Sequence, residues 1–379
     1  MLVQTGGIGV GFESSNLLSK KGWVTRYSVQ YSCMKFFLGI ETSCDETAAA
    51  VFTDQYDVRS NVVASQVRWH APFTGVVPEI AARAHVRQLL PVVDAAVAQA
   101  GITLRELTAV AVHHTPGLVG SLLVGVAAAK MLAAVLQIPL LAVNHVVSHI
   151  FACRLAAGRD IFPCVGLVVS GGHTVLLQCE TVTDMTILGG TRDDAAGEAF
   201  DKVAALLGLG FPGGPAVERE AALGDPTAYD FPRAFADDGR LEFSFSGLKT
   251  AVLYACFGQN ARRTDPPPPG PKRANLAASF QAAVIDVLTL KAKQALRKTG
   301  LRRLAVGGGV AANQALRDAL EVMCAREGAE LFLPPRHLCT DNAAMAAWAV
   351  ELWKHQRFAP LDLEAQPIWL QEPGGLDPR

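Results

Sequence analysis

Three apolar runs suited to buried strands each stop at a turn of glycine, hydroxyl or acidic residues, and no other feature constrains the fold of this chain as much. Phe36-Phe37-Leu38-Gly39-Ile40 runs into Glu41-Thr42-Ser43-Cys44-Asp45, and Gly166-Leu167-Val168-Val169 into Ser170-Gly171-Gly172-His173-Thr174. Leu304-Ala305-Val306 runs into Gly307-Gly308-Gly309-Val310-Ala311-Ala312-Asn313. Glycine after a buried strand lets backbone N–H groups approach phosphate oxygens, and hydroxyls add donors without bulk. One such turn is weak evidence; three in order argue for a nucleotide site built from strand ends.

The 379 residues suit two lobes rather than one ordinary core. With 50% hydrophobic and 18% charged residues the chain is globular, and a formal net charge of −1 gives no global attraction to nucleic acid. Any RNA contact therefore comes from a local patch or a partner. The 8 cysteines are scattered without a Cys-x-x-Cys pair, which fits a reduced, cytoplasmic protein. The apolar run from Gly117 to Val147 raises a membrane question, but Lys130 lies mid-run and Pro139 follows. It reads as a core helix over 120–136 and a strand over 138–143, with no membrane span.

Strand-like and helical stretches alternate, giving an α/β pattern: strands near 36–41 and 48–53, a helix over 77–100, a strand over 107–112. The second half restarts with strands over 165–169 and 175–179 around a glycine turn. Residues 261–272, with four consecutive prolines, read as an exposed loop, and a helix follows over 276–298. Lys291, Lys293, Arg297 and Lys298 near its end read as a solvated last turn. The domain expectation is an extension over 1–33, disordered or arising from an upstream start codon. An N-terminal lobe over 34–145 follows, completed by a helix over 342–357, then a C-terminal lobe over 146–341 and a loosely held tail over 358–379.

His145 and His149 stand four apart, which on a helix puts both imidazoles on one face as metal binding requires. Zinc peptidases have Glu directly after the first His, and here that position is Val146. A carboxylate from elsewhere would complete a site, and Cys339-Thr340-Asp341-Asn342 offers one. Two His and one Asp leave positions open for ligand oxygens and admit zinc or iron. Between Asp193 and Lys202 four acids crowd a helix start near Ala196; Asp193 and Asp194 read as dipole partners, whereas Asp201 lies deeper, where a carboxylate needs a partner such as a ribose hydroxyl. Gly210-Phe211-Pro212-Gly213-Gly214-Pro215 is small enough to pass close to a sugar or base, or to be a plain turn.

These segments, with Phe243-Ser244-Phe245-Ser246-Gly247-Leu248-Lys249-Thr250, closely resemble the bacterial TsaD family of tRNA adenosine threonylcarbamoyltransferases, from about Met34 to beyond residue 350. The resemblance implies a two-lobed, actin-like and sugar-kinase-like ATPase fold. It implies transfer of a threonylcarbamoyl group from threonylcarbamoyl adenylate to the exocyclic amine of the adenosine beside the anticodon (position 37), in tRNAs reading codons that start with A. Carried over by position, the metal ligands are His145, His149 and Asp341. The substrate-binding set is Val168, Val169, Ser170, Gly171, Gly172, Asp201, Gly214 and Asn313. Implied cofactors are one divalent metal, iron or zinc, and ATP or the adenylate as nucleotide ligand; implied partners are tRNA and the TsaB and TsaE proteins, with TsaB docking on the N-terminal lobe where helix 77–100 carries Arg83, His85 and Arg87.

Two departures stand out. The family's Ala-Gly-Pro-Gly-Leu turn is His114-Thr115-Pro116-Gly117-Leu118 here, which is costly only if Thr115 takes a positive φ. Val147 and Ser148 replace a common Glu-Gly pair between the two His, which puts the support around the metal in question. No general base is assigned, His173 being placed for that role or for a backbone bond. Open alternatives are a non-catalytic scaffold, a metallopeptidase, and a small-molecule kinase using Asp45 or Asp201.

Overall fold

The computed structural model describes residues 8–19, 22–236, 238–258 and 266–369. β1 (Ile8–Ser19) and β2 (Gly22–Cys33) pair with each other as an antiparallel hairpin, a two-stranded sheet of its own, where the sequence suggests an extension without regular structure.

Two five-stranded sheets make up the rest. The first contains β3 (Phe36–Glu41), β4 (Glu46–Thr53), β5 (Val58–Ser65), β6 (Leu107–Thr115) and β7 (Leu140–Asn144) in the order β5-β4-β3-β6-β7. The second contains β8 (Cys164–Val169), β9 (Thr174–Thr181), β10 (Asp184–Gly190), β11 (Arg303–Gly307) and β12 (Glu330–Phe332) in the order β10-β9-β8-β11-β12. In each, three strands form an antiparallel meander, the first of them also pairs in parallel with a fourth strand, and the fourth pairs in parallel with the fifth. The two halves thus repeat one plan, and the turns 42–45 and 170–173 occupy equivalent places at the tips of their first hairpins. The strands of the parallel side are buried on both faces, which explains their continuous Val, Ala and Leu runs.

Helices cover the sheets: α1 (Val67–His70), α2 (Pro78–Ala100), α3 (Val119–Leu136) and α4 (His145–Ala157) in the first half. The second half carries α5 (Ala196–Leu206), α6 (Gly213–Ala221), α7 (Ser246–Phe257), α8 (Gly270–Thr299), α9 (Gln314–Glu327) and α10 (Ala349–Lys354). α3 is the one helix among the described residues long and apolar enough to cross a membrane by length and composition. It packs Val126, Ala129, Leu132 and Ala133 on the first sheet, and Lys130 donates to Leu363 O at 2.9 Å.

Several expectations change. α8 begins at Gly270, inside the segment read as loop, because proline in a first helical turn forfeits no intrahelical bond. Residues 259–265 of that segment lie outside the described residues. Lys291 is wholly buried rather than solvated; its ammonium donates to Arg240 O at 2.6 Å and to Phe235 O. The tail expected to be loose from 358 is held as far as 369: Leu363 and Ala365 pack on the first lobe, and Gln366 N donates to His114 O at 2.8 Å. Residues 370–379 lie outside the described residues.

Candidate metal centre and glycine-turn cleft

Three chain segments converge on one buried point. α4 begins at His145 because Asn144 caps it, its side chain accepting from Val146 N and Val147 N at 2.9 and 3.1 Å. Helical spacing then brings the His145 and His149 rings together edge to face, with centroids 4.7 Å apart. Asp341 arrives from the C-terminal segment, its Oδ1 3.6 Å from His145 Nε2 and 3.3 Å from His149 Nε2. Gly308 permits the convergence. Its φ is +96°, and a Cβ there would lie 2.3 Å from Val169 O, so the β11 turn can pass directly under the second hairpin only without a side chain.

The donor set fits a divalent ion. Both ring nitrogens of His149 are buried without a hydrogen-bond partner, and Nε2 faces Asp341 without hydrogen-bond geometry. A buried polar atom left so is costly unless something else ligates it. His145 differs: its Nδ1 faces Glu41 Oε2 at 3.0 Å and Ser43 Oγ at 3.1 Å, leaving Nε2 for the metal. Two nitrogens and one oxygen leave coordination positions open, as zinc and iron sites with exchangeable ligands do.

Electrostatics agree. Burial opposes the charged form of His145, but the carboxylates of Asp341 and Glu41 outweigh it and push the imidazolium up to about 9. Burial, reinforced by the charge on His145, holds His149 below its ordinary value. Burial alone would raise Asp341 and Glu41, yet the neighbouring imidazoles hold both below the usual carboxylate range. Burial together with Asp45 and Asp341 pushes Glu46 up to about 9, which marks excess negative charge around the point.

The second hairpin turn lies alongside. The His173 ring is centred 6.0 Å from that of His145, and burial with the imidazoles of His145 and His149 drives it down to about 3. Neutral His173 can accept a proton only weakly, so the base role fits it poorly. Val168 and Val169 are fully buried and offer backbone groups alone; Ser170 closes the turn, its N donating to His173 O at 2.8 Å and its Oγ accepting from His173 N at 3.2 Å. Gly171 and Gly172 are exposed, and a Cβ on either would meet nothing within 4 Å. Across from them Asp201 on α5 accepts from Gly213 N at 2.7 Å, with Gly214 next to open space. Burial above all, with Asp45 and Glu198 adding, pushes the Asp201 carboxyl up to about 6.

Asn313 is employed otherwise. Its Oδ1 caps α9 by accepting from Leu316 N at 3.0 Å and its Nδ2 donates to Gln281 Oε1 at 2.7 Å, which leaves the side chain committed to the fold. Asp193, read as a dipole partner of α5, instead accepts from Ser244 and Ser246 hydroxyls and from Phe245 N at 2.6, 2.6 and 2.8 Å, tying the start of α7 to the β10 end. The sequence reading missed Glu41 and His113, which meet through Glu41 Oε2 and His113 Nδ1 at 2.9 Å. The available signal was an acid and a histidine at the ends of neighbouring strands of an otherwise apolar sheet.

The profile of the family described as tRNA N6-adenosine threonylcarbamoyltransferase, TsaD, matches residues 57–348. A protein of that name from Rhodopirellula baltica is 49% identical over 347 residues, covering 88% of this chain and 96% of that protein. Another from Moorella thermoacetica is 51% identical over 331 residues, covering 87% and 95%. Among solved structures, HypF of T. kodakarensis superposes with a TM-score of 0.56 at 15% identity over 85% of this chain and 48% of that one, and full-length HypF with 0.54 at 14% over 88% and 56%. These two likenesses concern the fold, and the two-lobed ATPase-like architecture agrees with them.

Proposed function

The chain belongs to the tRNA N6-adenosine threonylcarbamoyltransferase family, and from that premise we infer that it is an acyltransferase acting on the exocyclic amine of an adenosine in tRNA. In the finer reading the donor is threonylcarbamoyl adenylate and the acceptor is the adenosine beside the anticodon, position 37, of tRNAs reading codons that begin with A.

The observation that carries this reading is the orphaned, inward-facing Nε2 of His149 beside Asp341, at the foot of an open glycine turn. His145, His149 and Asp341 would hold the divalent metal, iron or zinc, which when bound supplies a positive charge for donor phosphate oxygens. The exposed Gly171-Gly172 backbone would lie along the phosphate or the carbonyl, and Asp201 would accept from a ribose hydroxyl. The donor is a mixed carbamic-phosphoric anhydride whose phosphate leaves with little need of a proton. The difficult parts are a weak amine nucleophile and negative charge growing on the carbonyl oxygen, so the residues work by positioning and by aiming N–H dipoles at that oxygen. Glu41, enclosed and engaged by two imidazoles, is not free to activate water, which speaks against peptide cleavage.

TsaB and TsaE complete the reading as partners. His85 does not serve the docking surface suggested for helix 77–100, since it is buried on Thr47 Oγ1 at 2.8 Å and Cys44 O at 3.0 Å. The exposed apolar residues Val86 and Leu90 on α2 and Leu123, Met131 and Val135 on α3 offer TsaB a larger apolar surface. A reduced, cytoplasmic setting fits the free cysteines and the tRNA substrate.

Nucleoside mass spectrometry of unmodified tRNA incubated with this chain, TsaB, TsaE and freshly made threonylcarbamoyl adenylate tests the function. Threonylcarbamoyladenosine appears only when this chain is present; its absence with folded, metal-loaded protein would refute the transferase.

A further inference from the structure

Behind the metal ligands runs a second buried line of polar groups that the reaction does not explain. Trp348 Nε1 donates to Ser148 Oγ at 2.8 Å, Ser148 Oγ lies 2.8 Å from His113 Nε2, and His113 Nδ1 lies 2.9 Å from Glu41 Oε2. The same Glu41 oxygen is 3.0 Å from His145 Nδ1. His113, Ser148 and Glu41 are fully buried and Trp348 nearly so.

The proton directions follow from the chemistry of each group. An indole N–H only donates, so Ser148 Oγ accepts on that side. His113 Nδ1 faces two acceptors, Glu41 Oε2 and Ile40 O at 3.1 Å, so it carries a proton whichever way the Ser148 hydroxyl turns, toward His113 Nε2 or toward Asn144 O at 2.9 Å. Glu41 is therefore fixed from one side by His113 and at its other oxygen by Ser43 N. It accepts from His145 Nδ1 and so leaves His145 Nε2, the nitrogen that sheds its proton when a metal binds, turned toward Asp341. His149 has no such support on its Nδ1, so His145 alone carries the orientation of the pair. Ser148 occupies one of the two positions where this chain departs from the Glu-Gly pair, and here its hydroxyl joins His113 to Trp348.

We propose that His113 is a positioning residue: backed by the Ser148 hydroxyl and the Trp348 indole, it fixes Glu41 and, through Glu41, the tautomer and ring plane of the metal ligand His145. The line replaces the support placed in question by the Val147 and Ser148 departures, and it enters from the segment that also delivers Asp341. Partners behind a metal-binding imidazole are commonly worth about 10- to 100-fold in metal affinity. The proposal rests on His145, His149 and Asp341 being the ligands.

The test is a competition titration of the full chain, stripped with chelator, with Zn2+ against an indicator of known affinity. Thermal unfolding of the metal-free protein is followed in parallel. Asp341→Ala reports on the ligand assignment: if it binds like the parent, that assignment fails. Given that it loses Zn2+, His113→Phe, which fills the space without donating, weakens binding about 10- to 100-fold. His113→Asn places an amide donor where Nδ1 stood and restores most of the affinity, although it too loses Ser148; a merely structural role would be disturbed by both. Ser148→Ala weakens binding in the parent but adds nothing on His113→Phe. Parent affinity in a folded His113→Phe protein overturns the proposal. Should that variant not fold, Trp348→Phe, which removes the indole donor while keeping an aromatic ring in place, decides: undiminished affinity there, together with undiminished affinity in Ser148→Ala, overturns it as well.

Discussion

Ser43 and Gly117 touch backbone to backbone: Leu118 N donates to Ser43 O at 2.8 Å, and a Cβ at 117 would lie 2.6 Å from that oxygen and 2.8 Å from Ser43 Cβ. The contact joins the first hairpin turn, whose Ser43 reaches His145, to the turn leading into α3. Gly117→Ala must push the two apart, with an expected destabilisation of about 1–3 kcal/mol and loss of the Ser43 contact to His145. Denaturant unfolding checks it. Thr115, two residues away, is not among the positive-φ residues, and its Oγ1 reaches Ile368 O at 3.4 Å. Thr115→Gly therefore gains nothing; it destabilises by roughly 0.4–1 kcal/mol through chain entropy in the unfolded state.

Gly171 is the opposite kind of glycine, with open space where a Cβ would go. Gly171→Val leaves the unfolding transition within about 0.5 kcal/mol of the parent, as surface changes do. If the proposed donor, threonylcarbamoyl adenylate, lies along this turn, the variant raises its KM at least tenfold, because the branched side chain fills that space. An unchanged KM would remove the 170–172 turn from the site.

His149 keeps its Nδ1 buried without a hydrogen-bond partner, and its Nε2 faces only Asp341 Oδ1, at 3.3 Å. His149→Leu relieves that, so the metal-free variant is more stable than the parent by about 1–3 kcal/mol while Zn2+ or Fe2+ no longer binds. Differential scanning calorimetry with and without metal separates the two effects; a less stable variant would show that the imidazole already has what it needs.

Asp201 has a carboxyl raised to about 6 from an ordinary 3.8. The folded protein holds this proton more tightly than the unfolded chain does. Its contribution therefore favours the fold at low pH and fades as pH rises from near 4 through about 6. Asp201→Asn consequently raises the thermal midpoint at pH 8 and leaves it unchanged at pH 4. If the carboxylate receives a ribose hydroxyl, AMP affinity of the parent increases across the same interval and is flat in Asp201→Asn. Isothermal titration at several pH values reads both.

The alternation of strands and helices, the three glycine turns and the His145–His149 face were legible in the sequence because each depends on spacing within a few residues. The long-range partner Asp341 could be offered from the sequence as a candidate carboxylate and was matched by resemblance, but no local pattern tells a chain which carboxylate will meet two histidines. Glu41 and His113 were missed for a related reason: each sits inside an apolar strand, and their mutual bond joins neighbouring strands far apart in sequence. Lys291 misled because charge suggests solvent, whereas two carbonyls beside α8 gave the ammonium acceptors inside. Asn313 reads the same in sequence whether or not it caps a helix, and only its hydrogen bonds show that it caps α9.

Asp341 and Trp348 reach the His pair from one late segment, after the whole second sheet has been made. During synthesis on the ribosome the two imidazoles therefore wait without their carboxylate, for roughly ten seconds or more at ordinary elongation rates. Until then His145 and His149 together offer only two nitrogens. If His145, His149 and Asp341 hold a metal as proposed, the three-donor site, and with it any choice between iron and zinc, comes into being only when the closing segment docks.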